Sequence, residues 1–461
     1  MSTEEGVALK ESTTLASRKA IVAERWKLLR DALRGKPVSR QATFKGYEMI
    51  TSRRLRHDKD DLFIASLKAK LQTIVLSESV TKGKNVQTAL TDVLETSLLG
   101  LLAIVDDEGR TMDVVNGVLH KQFTFSMSMC PNDDIPKFVD LKQISMDLRR
   151  RCEFNFCSLQ WGGIDGDVRR LELSLTRSNK NRSLIQRYEL TKPENYLLVR
   201  ERSSEQVISL QELTSHHGEN SIDNTGNVCV WDCEKTLLWA ILSFSSNDNF
   251  DRVLELGAGM AGLVGLGLAA VQRATNVVIT DGNPGSLQSN RTHVRLMEAS
   301  PCPLQCTVDL RLLPWALNVN EEGDTFRELQ LHPANLSVVS DCTHFERYHG
   351  HLLWTLIQCT AVDGQIWMCH PDRGASLERF LDTVKVLTEF DDKNYSGRRS
   401  LLRLEEMSFS LLDEKHVQME KEDPHYRPNV HRPRIFRMWK LREATEEDRS
   451  IILRHLSKRD S

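Results

Sequence analysis

The chain has 461 residues, and its length, composition and charge exclude several classes of protein. Apolar residues make up 40% of the chain and charged residues 27%, which is typical of globular proteins long enough for two or three domains. The net charge of −3 argues against a dedicated nucleic-acid-binding protein, which should be basic. The longest apolar stretch, Leu98–Val105, is far too short to span a bilayer, so we predict no membrane association.

The cysteines and the N-terminus predict where the protein resides. The ten cysteines show neither C-x-x-C nor Cys/His ligand spacing, which indicates reduced thiols and no metal site. The N-terminal sequence Met-Ser-Thr-Glu-Glu has no apolar signal core. We therefore predict a cytoplasmic or nuclear protein, and we expect it to be a monomer.

The N-terminal half is predicted to contain three regions. Helical spacing of apolar residues over 17–34, ended by Gly35 and Pro37, predicts an N-terminal helix within residues 1–36. Residues 37–148 are predicted to be a helical insertion of unknown role, with two helices over Asp61–Leu102 broken near Lys82–Lys84. Residues 149–220 alternate apolar and polar positions and predict a β-rich subdomain.

From Trp231 onward, strand patterns alternate with helix patterns, which predicts an α/β domain with a parallel sheet and crossover helices over residues 221–445. The last two strands are expected to form a reversed edge pair, and residues 446–461 a C-terminal tail. The predicted strands are Arg252–Leu256, Asn276–Thr280, Gln305–Asp309, Leu336–Ser340, Gly364–His370, Arg403–Ser410 and Ile435–Lys440.

The most informative stretch is a glycine-rich turn between a strand and a helix. Apolar residues Val253–Leu256 are followed by Gly257, Gly259 and Gly262, then by a small-residue helix and a second strand that ends in Asp281. Such glycines let the backbone approach a ligand closely, and a carboxylate at the tip of the second strand can take both ribose hydroxyls of an adenosine. The pattern predicts half of a nucleotide-binding unit.

Glu255 bears on the choice between two kinds of nucleotide ligand. The glycine pattern alone fits a dinucleotide enzyme as well as a methyltransferase. A carboxylate two residues before the first glycine would repel a pyrophosphate but suits the ammonium and sulfonium of S-adenosylmethionine. The alternative is that Glu255 anchors the following helix by a hydrogen bond. This segment therefore favours a methyltransferase.

Flanking motifs resemble a known family. They are Ala23–Arg30, Arg150–Phe156, the run Asp223-Asn-Thr-Gly-Asn-Val-Cys-Val-Trp231, Asp281-Gly-Asn283, Asp341-Cys342 and Tyr348. Together they are similar to the seven-strand protein-lysine methyltransferases of family 16, and most of all to members that methylate calmodulin. The resemblance covers roughly residues 20–36 and 150–440 but not 37–148. It implies a Rossmann-like class I sheet, S-adenosyl-L-methionine as cofactor, and calmodulin as a substrate that is trimethylated at one lysine.

The resemblance also implies the residues of the site. A cofactor site is expected from the glycine turn, the second strand tip, two tryptophans and the fourth strand end. Its residues are Trp231, Glu255, Gly257, Ala258, Gly259, Asp281, Gly282, Asn283, Trp315 and Ser340. Many related enzymes contact adenine through an acidic residue after the third strand, and Asp309 is the nearest candidate. A core position for either tryptophan remains an alternative.

The lysine channel departs from the family pattern. The family carries D-x-x-Y or D-x-x-F after the fourth strand, whereas Asp341 is followed by His344 and then Phe345. Phe345 could take the aromatic role through a one-residue shift, or His344 could take it, even as a proton acceptor. We name Asp341, His344 and Phe345 as candidate catalytic residues. Loss of activity is the third option.

Several functions remain open at this point. The chain could methylate a lysine of calmodulin, a lysine of another protein, or bind S-adenosylmethionine as an interaction protein without turnover. A nucleic-acid amino-methyltransferase is disfavoured because Ser340-Asp-Cys-Thr-His344 lacks the prolines of the Asn/Asp-Pro-Pro-Tyr turn that holds a flipped base. A nicotinamide-dependent oxidoreductase is disfavoured by Glu255.

Overall fold

The structure is a computed structural model, and it describes part of the chain. The described residues are 47, 49–75, 86–108, 113–115, 118–128, 139–151, 155–165, 168–178, 183–202, 229–244, 248–371, 375–388, 400–423 and 426–460. The helix predicted over 17–34 and the Asp223–Asn227 segment lie outside these ranges.

In its described residues, the N-terminal half contains two small sheets and three helices. One sheet has the order β1-β7-β8, and the other has the order β2-β4-β6-β5 with β3 paired to β4. The elements are β1 (Ser52–Arg54), α1 (His57–Leu71), β2 (Thr73–Val75), α2 (Val86–Glu108), β3 (Asp113–Val115), β4 (Val118–Ser128), α3 (Leu141–Arg151), β5 (Asn155–Asp165), β6 (Val168–Ser178), β7 (Ser183–Glu189) and β8 (Tyr196–Arg202).

The prediction that 37–148 is a helical insertion is wrong for its second part. Helices α1 and α2 are present, but β4 is an eleven-residue strand that pairs with β6 over its whole length. Phe123, Phe125 and Met127 alternate with polar residues and are buried, which is the two-residue period of a strand with one covered face. The insertion and the β-rich region therefore share one sheet.

The C-terminal half is a seven-stranded sheet with helices on both faces. The sheet order is β11-β10-β9-β12-β13-β15-β14, and β15 runs antiparallel to both of its neighbours. Its elements are α4 (Asp232–Phe244), β9 (Phe250–Leu256), α5 (Leu263–Ala270), β10 (Ala274–Asp281), α6 (Pro284–Ala299), β11 (Thr307–Leu312), α7 (Asp324–Leu331), β12 (Ala334–Ser340), α8 (His349–Cys359), β13 (Thr360–Pro371), α9 (Ser376–Lys385), β14 (Leu402–Met407), α10 (Ser410–Glu422), α11 (Pro428–His431), β15 (Pro433–Lys440) and α12 (Glu446–Asp460).

This topology confirms the predicted Rossmann-like α/β sheet and its reversed edge pair. Two details differ from prediction. Strand β11 ends at Leu312, so Asp309 lies inside the strand, where its carboxylate accepts a hydrogen bond from the Arg311 guanidinium at 2.7 Å. The expected C-terminal tail is helix α12, whose Ile452 is fully buried and whose Arg459 donates to the Glu346 carbonyl at 3.1 Å.

The two halves pack against each other along helix α6. The Arg295 guanidinium donates to Oγ of Ser97 at 3.1 Å and to the Thr73 carbonyl at 2.7 Å. A β-carbon at Gly100 of α2 would lie 3.2 Å from Cδ2 of Leu296, so these helices are in close contact. The N-terminal half therefore rests on one helical face of the large sheet. Among the described helices, none combines the length and apolar character needed to cross a bilayer.

Candidate active site

The candidate site lies where parallel strands of the large sheet end together. From β9 the chain proceeds outward through β10 and β11 on one side, and through β12 and β13 on the other. The point at which strand order reverses leaves a crevice beyond the carboxyl ends of the strands, and α/β proteins bind ligands there. The carboxyl ends of β9, β10 and β12 carry most of the residues predicted from sequence.

The glycine turn after β9 makes unusually close contacts. Gly257, Gly259 and Gly262 have φ of +64°, +56° and +53°, in the left-handed region that favours glycine. A β-carbon at Gly257 would lie 2.5 Å from Sγ of Cys342 and 3.2 Å from Cζ2 of Trp315. The turn, the indole of Trp315 and the residue after Asp341 therefore meet at one point.

Two backbone groups of the turn are tied to neighbouring elements. The Ala258 amide donates to the Thr280 carbonyl at 3.0 Å, which joins the turn to β10. The Asn290 side-chain amide donates to the carbonyls of Gly259 and Ser286, both at 2.9 Å. Asn290 is fully buried on α6, and sequence reasoning missed it because a polar residue on a helix gives no sign of burial.

Asp281 is held by backbone amides at the tip of β10. Its Oδ2 accepts from the Gly259 amide at 2.9 Å and its Oδ1 accepts from the Asn283 amide at 2.7 Å. Burial raises the pKa of Asp281 despite these hydrogen bonds. The cap of α6 is Asn283, whose Oδ1 accepts from the Gly285 amide at 2.8 Å. Asp281 thus faces the turn and does not cap the helix.

The loop that carries Trp315 is fixed beside Asp281. The Leu313 amide donates to the Asp281 carbonyl at 3.0 Å, and a β-carbon at Gly282 would lie 3.9 Å from the Leu313 carbonyl oxygen. Trp315 therefore reaches the glycine turn from the third strand. The structure thus places the Leu313–Pro314 backbone beside Gly282 and the indole of Trp315 beside Gly257, and the cofactor-binding roles of these residues stay predictions.

Glu255 takes the second of the two roles that the sequence left open. Its side chain is 2% exposed, and Oε2 accepts from the Gly265 amide at 2.7 Å in the first turn of α5. A carboxylate at a helix N-terminus satisfies an amide that lacks an intrahelical partner. Burial raises the pKa of Glu255 to about 7, and the charge of Asp281 acts in the same direction.

Trp231 lies directly before α4 and is joined to a carboxylate that sequence reasoning missed. The Trp231 amide donates to Oε1 of Glu234 at 3.1 Å. Glu234 is 3% exposed, and its Oε2 has no hydrogen-bond partner in the described part of the chain. Burial raises the pKa of Glu234 well above its ordinary value, and the charges of Glu255 and Asp341 raise it further.

The end of β12 has an unusual backbone. Ser340 is the buried last residue of the strand, and Asp341 follows with φ of +50°. Aspartate is one of the few side chains that tolerate the left-handed region, and such strained residues cluster at functional sites. The Asp341 amide donates to the Cys369 carbonyl at 3.0 Å, and the Cys342 amide donates to Nδ1 of His370 at 3.1 Å.

An aromatic cluster follows Asp341. Nδ1 of His344 lies 2.9 Å from the Asp341 carbonyl oxygen, and because a carbonyl only accepts, Nδ1 carries the proton in this contact. The His344 ring centroid lies 3.8 Å from that of Phe345, which in turn lies 6.4 Å from the Tyr348 ring. The described contacts thus join His344 to Asp341, and Phe345 to the two neighbouring rings.

Four carboxylates make the crevice acidic. Glu234, Glu255, Asp281 and Asp341 all raise the pKa of the buried Cys342 thiol, in addition to the effect of its burial. Such a site repels phosphate and attracts a cation. The orphaned Oε2 of Glu234 and the close-packed turn at Gly257 therefore fit a cationic nucleoside, and S-adenosylmethionine is the cofactor that matches them. Among the described residues, no cluster of three or more His, Cys, Asp and Glu could hold a metal.

The sheet and this site define a class of protein. Numbered within the sheet, the strands run 3-2-1-4-5-7-6 with the seventh reversed, and the first strand leads into the glycine turn. These features together define a class I S-adenosylmethionine-dependent methyltransferase fold. Residues 211–386 match the family described as lysine methyltransferase, so the predicted resemblance is confirmed for this segment.

The chain is also similar to individual proteins in sequence or in structure. A calmodulin-lysine N-methyltransferase from Arabidopsis thaliana is 31% identical over 218 residues, which cover 42% of this chain and 64% of the relative. The chain thus spans slightly less than two thirds of that relative. A T. thermophilus 16S rRNA methyltransferase, solved with AdoMet and guanosine, is 11% identical with a TM-score of 0.31, covering 80% of this chain and 73% of its own. The NodS N-methyltransferase of Bradyrhizobium japonicum, solved with S-adenosyl-L-homocysteine, is 11% identical with a TM-score of 0.27 over 45% and 86%. With TM-scores this low, neither structure indicates what this chain binds or modifies.

Proposed function

We propose that this protein is an S-adenosylmethionine-dependent protein-lysine N-methyltransferase that trimethylates a lysine of calmodulin. The observation that carries the proposal is the acidic crevice at the strand ends of the segment that matches the lysine methyltransferase family. The likeness to the Arabidopsis thaliana calmodulin enzyme supports the substrate. The free thiols of the described cysteines agree with a cytoplasmic or nuclear location.

The residues around the glycine turn would hold the cofactor. Asp281, fixed by two backbone amides, is placed to accept from ribose hydroxyls, and Trp315 would cover the nucleoside from the side of β11. When bound, S-adenosylmethionine supplies a methyl group activated by a positively charged sulfur. The crevice itself contributes alignment, which accounts for much of the rate when two reactants are held in an attack geometry.

The target amine must be neutral before it can attack. A free lysine has a pKa near 10.4, so the neutral form costs about 4 kcal/mol at pH 7.4. Desolvation in an apolar or aromatic channel lowers that pKa. His344, Phe345 and Tyr348 supply a cluster of tilted and edge-to-face rings after Asp341, and such rings orient an amine without a strong base.

An acidic substrate such as calmodulin must be attracted by local basic groups, because the whole chain carries a net charge of −3. The arginines in 432–437 are engaged within the protein: Arg432 pairs with Asp413 at 2.8 Å, and Arg434 pairs with Glu406 at 2.7 Å. Arg149, which is exposed at the end of α3 in the run Arg149-Arg150-Arg151, is a further docking candidate. This run lies in the N-terminal half, outside the segment that matches the family.

The N-terminal half also favours a second candidate, methylation of another protein. Its sheet β2-β4-β6-β5 lies wholly outside residues 211–386, and a unit of this size can select a different substrate. A third possibility, cofactor binding without turnover, is favoured by His344 at the position where the family carries an aromatic residue.

Mass spectrometry separates these functions. Unmethylated calmodulin is incubated with the protein and S-adenosylmethionine, and the mass gain and modified lysine are read by peptide analysis. Three methyl groups on one lysine support the proposal. Transfer only to other proteins of a lysate supports the second candidate, and cofactor binding without any transfer supports the third. Calmodulin that already carries the trimethyl mark is the control, and it should gain no mass.

A further inference from the structure

The first turn of α4 contains a buried carboxylate whose partner is missing from the described contacts. Glu234 is 3% exposed, and Oε1 accepts from the Trp231 amide at 3.1 Å. Oε2 is fully buried and has no hydrogen-bond partner among the described residues. A buried carboxylate without a counter-ion or a second donor is costly, so proteins retain one where a ligand completes it.

The charged groups around Glu234 are mostly of its own sign. Glu255 on β9 and Asp341 after β12 both raise its pKa. The nearest cation is Lys235 on the same helix, and its ammonium pairs with Asp232 at 3.4 Å. The crevice therefore offers Glu234 no dedicated protein cation among the described residues.

We propose that Glu234 is a cofactor-binding residue whose Oε2 accepts a hydrogen bond from the α-ammonium of the methionine end of S-adenosylmethionine. This rests on the proposed function. The sulfonium attracts a carboxylate but has no hydrogen to donate, whereas an ammonium has three. The Trp231 amide donates to Oε1 at 3.1 Å, so Oε2, which has no partner among the described residues, is the oxygen available to the ammonium.

Three ligands isolate this contact. S-adenosylmethionine and S-adenosylhomocysteine both carry the α-ammonium, whereas 5′-methylthioadenosine has the same nucleoside without the amino-acid end. Glu234→Gln keeps an oxygen for the Trp231 amide but replaces the carboxylate. Loss of one charge-assisted hydrogen bond should weaken the first two ligands roughly 10- to 100-fold and leave the third within about threefold. Isothermal titration calorimetry measures all three, and exposed Glu422→Gln on α10 is the matched control.

The outcomes separate this inference from the proposed function. Equal loss of all three ligands would assign Glu234 to the fold, and unchanged affinities would also overturn the contact. Unchanged cofactor affinity with a raised KM for the protein substrate would assign Glu234 to the target lysine and refute the inference. If the unaltered protein binds none of the ligands, the proposed function fails as well. Should Glu234→Gln not fold, Glu234→Asp, which withdraws the carboxylate by one methylene, gives the same comparison.

Discussion

The contact between the glycine turn and Cys342 allows a quantitative test of the site. A β-carbon at Gly257 would lie 2.5 Å from Sγ of Cys342, and the residue has φ of +64°. An alanine in the left-handed region costs about 1–2 kcal/mol. Forcing a methyl group into packed atoms adds about 1–3 kcal/mol. We therefore expect Gly257→Ala to lower the free energy of unfolding by about 2–5 kcal/mol, measured by urea denaturation followed by circular dichroism.

A double-mutant cycle separates the two contributions. Cys342→Ala removes the sulfur that the new methyl group would meet, so the combined variant should regain the overlap share of about 1–3 kcal/mol. The share due to φ at Gly257 and the contact with Cζ2 of Trp315, at 3.2 Å, would remain. If the two substitutions are simply additive, or if Gly257→Ala unfolds like the unaltered protein, the turn and Cys342 are not in contact and the described crevice is wrong.

Three further predictions test individual carboxylates. Asp281→Asn leaves one side-chain acceptor for the amides of Gly259 and Asn283, so we expect the free energy of unfolding to fall by about 1–3 kcal/mol. S-adenosylmethionine binding, measured by calorimetry, should weaken at least roughly tenfold. Normal affinity would remove Asp281 from the site. At Asp341, asparagine also tolerates φ of +50°, so Asp341→Asn should keep cofactor affinity but lower the rate of methyl transfer more than roughly tenfold. An unchanged rate would exclude Asp341 from the lysine channel. Burial raises the pKa of Glu255 from 4.5 to about 7, so the folded protein holds a proton that the unfolded chain has lost, and stability falls as pH rises between these values. Compared with the Glu255→Gln variant, the free energy of unfolding of the unaltered protein should fall by at most about 3 kcal/mol more over this pH range. The same dependence of unfolding free energy on pH in both proteins would contradict the prediction.

The large sheet could be predicted because its signals are local. Short apolar runs between helical patterns placed all seven strands within about four residues of their observed bounds, and glycines at left-handed φ marked the turn after β9. The predicted third strand began two residues and ended three residues before strand β11 does, which put Asp309 at the strand end instead of inside it. Strand β4 was missed because its pairing partner, β6, lies forty residues away.

The chemistry of the crevice could be predicted only in part. Asp281 and the glycines lie in a contiguous motif, so their proximity follows from the strand–turn–helix connection. Glu234 resembles an ordinary acidic residue in a first helical turn, where the helix dipole favours it. Only the three-dimensional packing shows that it is buried, and only the fold brings Asn290 to the Gly259 carbonyl.

The four carboxylates explain why this crevice would select its ligand by charge. Glu255 and Asp281 each accept backbone hydrogen bonds, which lower their pKa values but do not offset the effect of burial. Among the described residues Glu234 accepts only one, and Asp341 stands on a strained backbone. Negative charge at this depth is unfavourable until a cation arrives, so a cationic ligand gains affinity that a neutral or anionic analogue of the same shape cannot gain. The same reasoning predicts that S-adenosylmethionine binds more tightly than S-adenosylhomocysteine, which lacks the sulfonium charge. Because buried charges are weakly screened, raised ionic strength should reduce the difference between the two affinities only slightly.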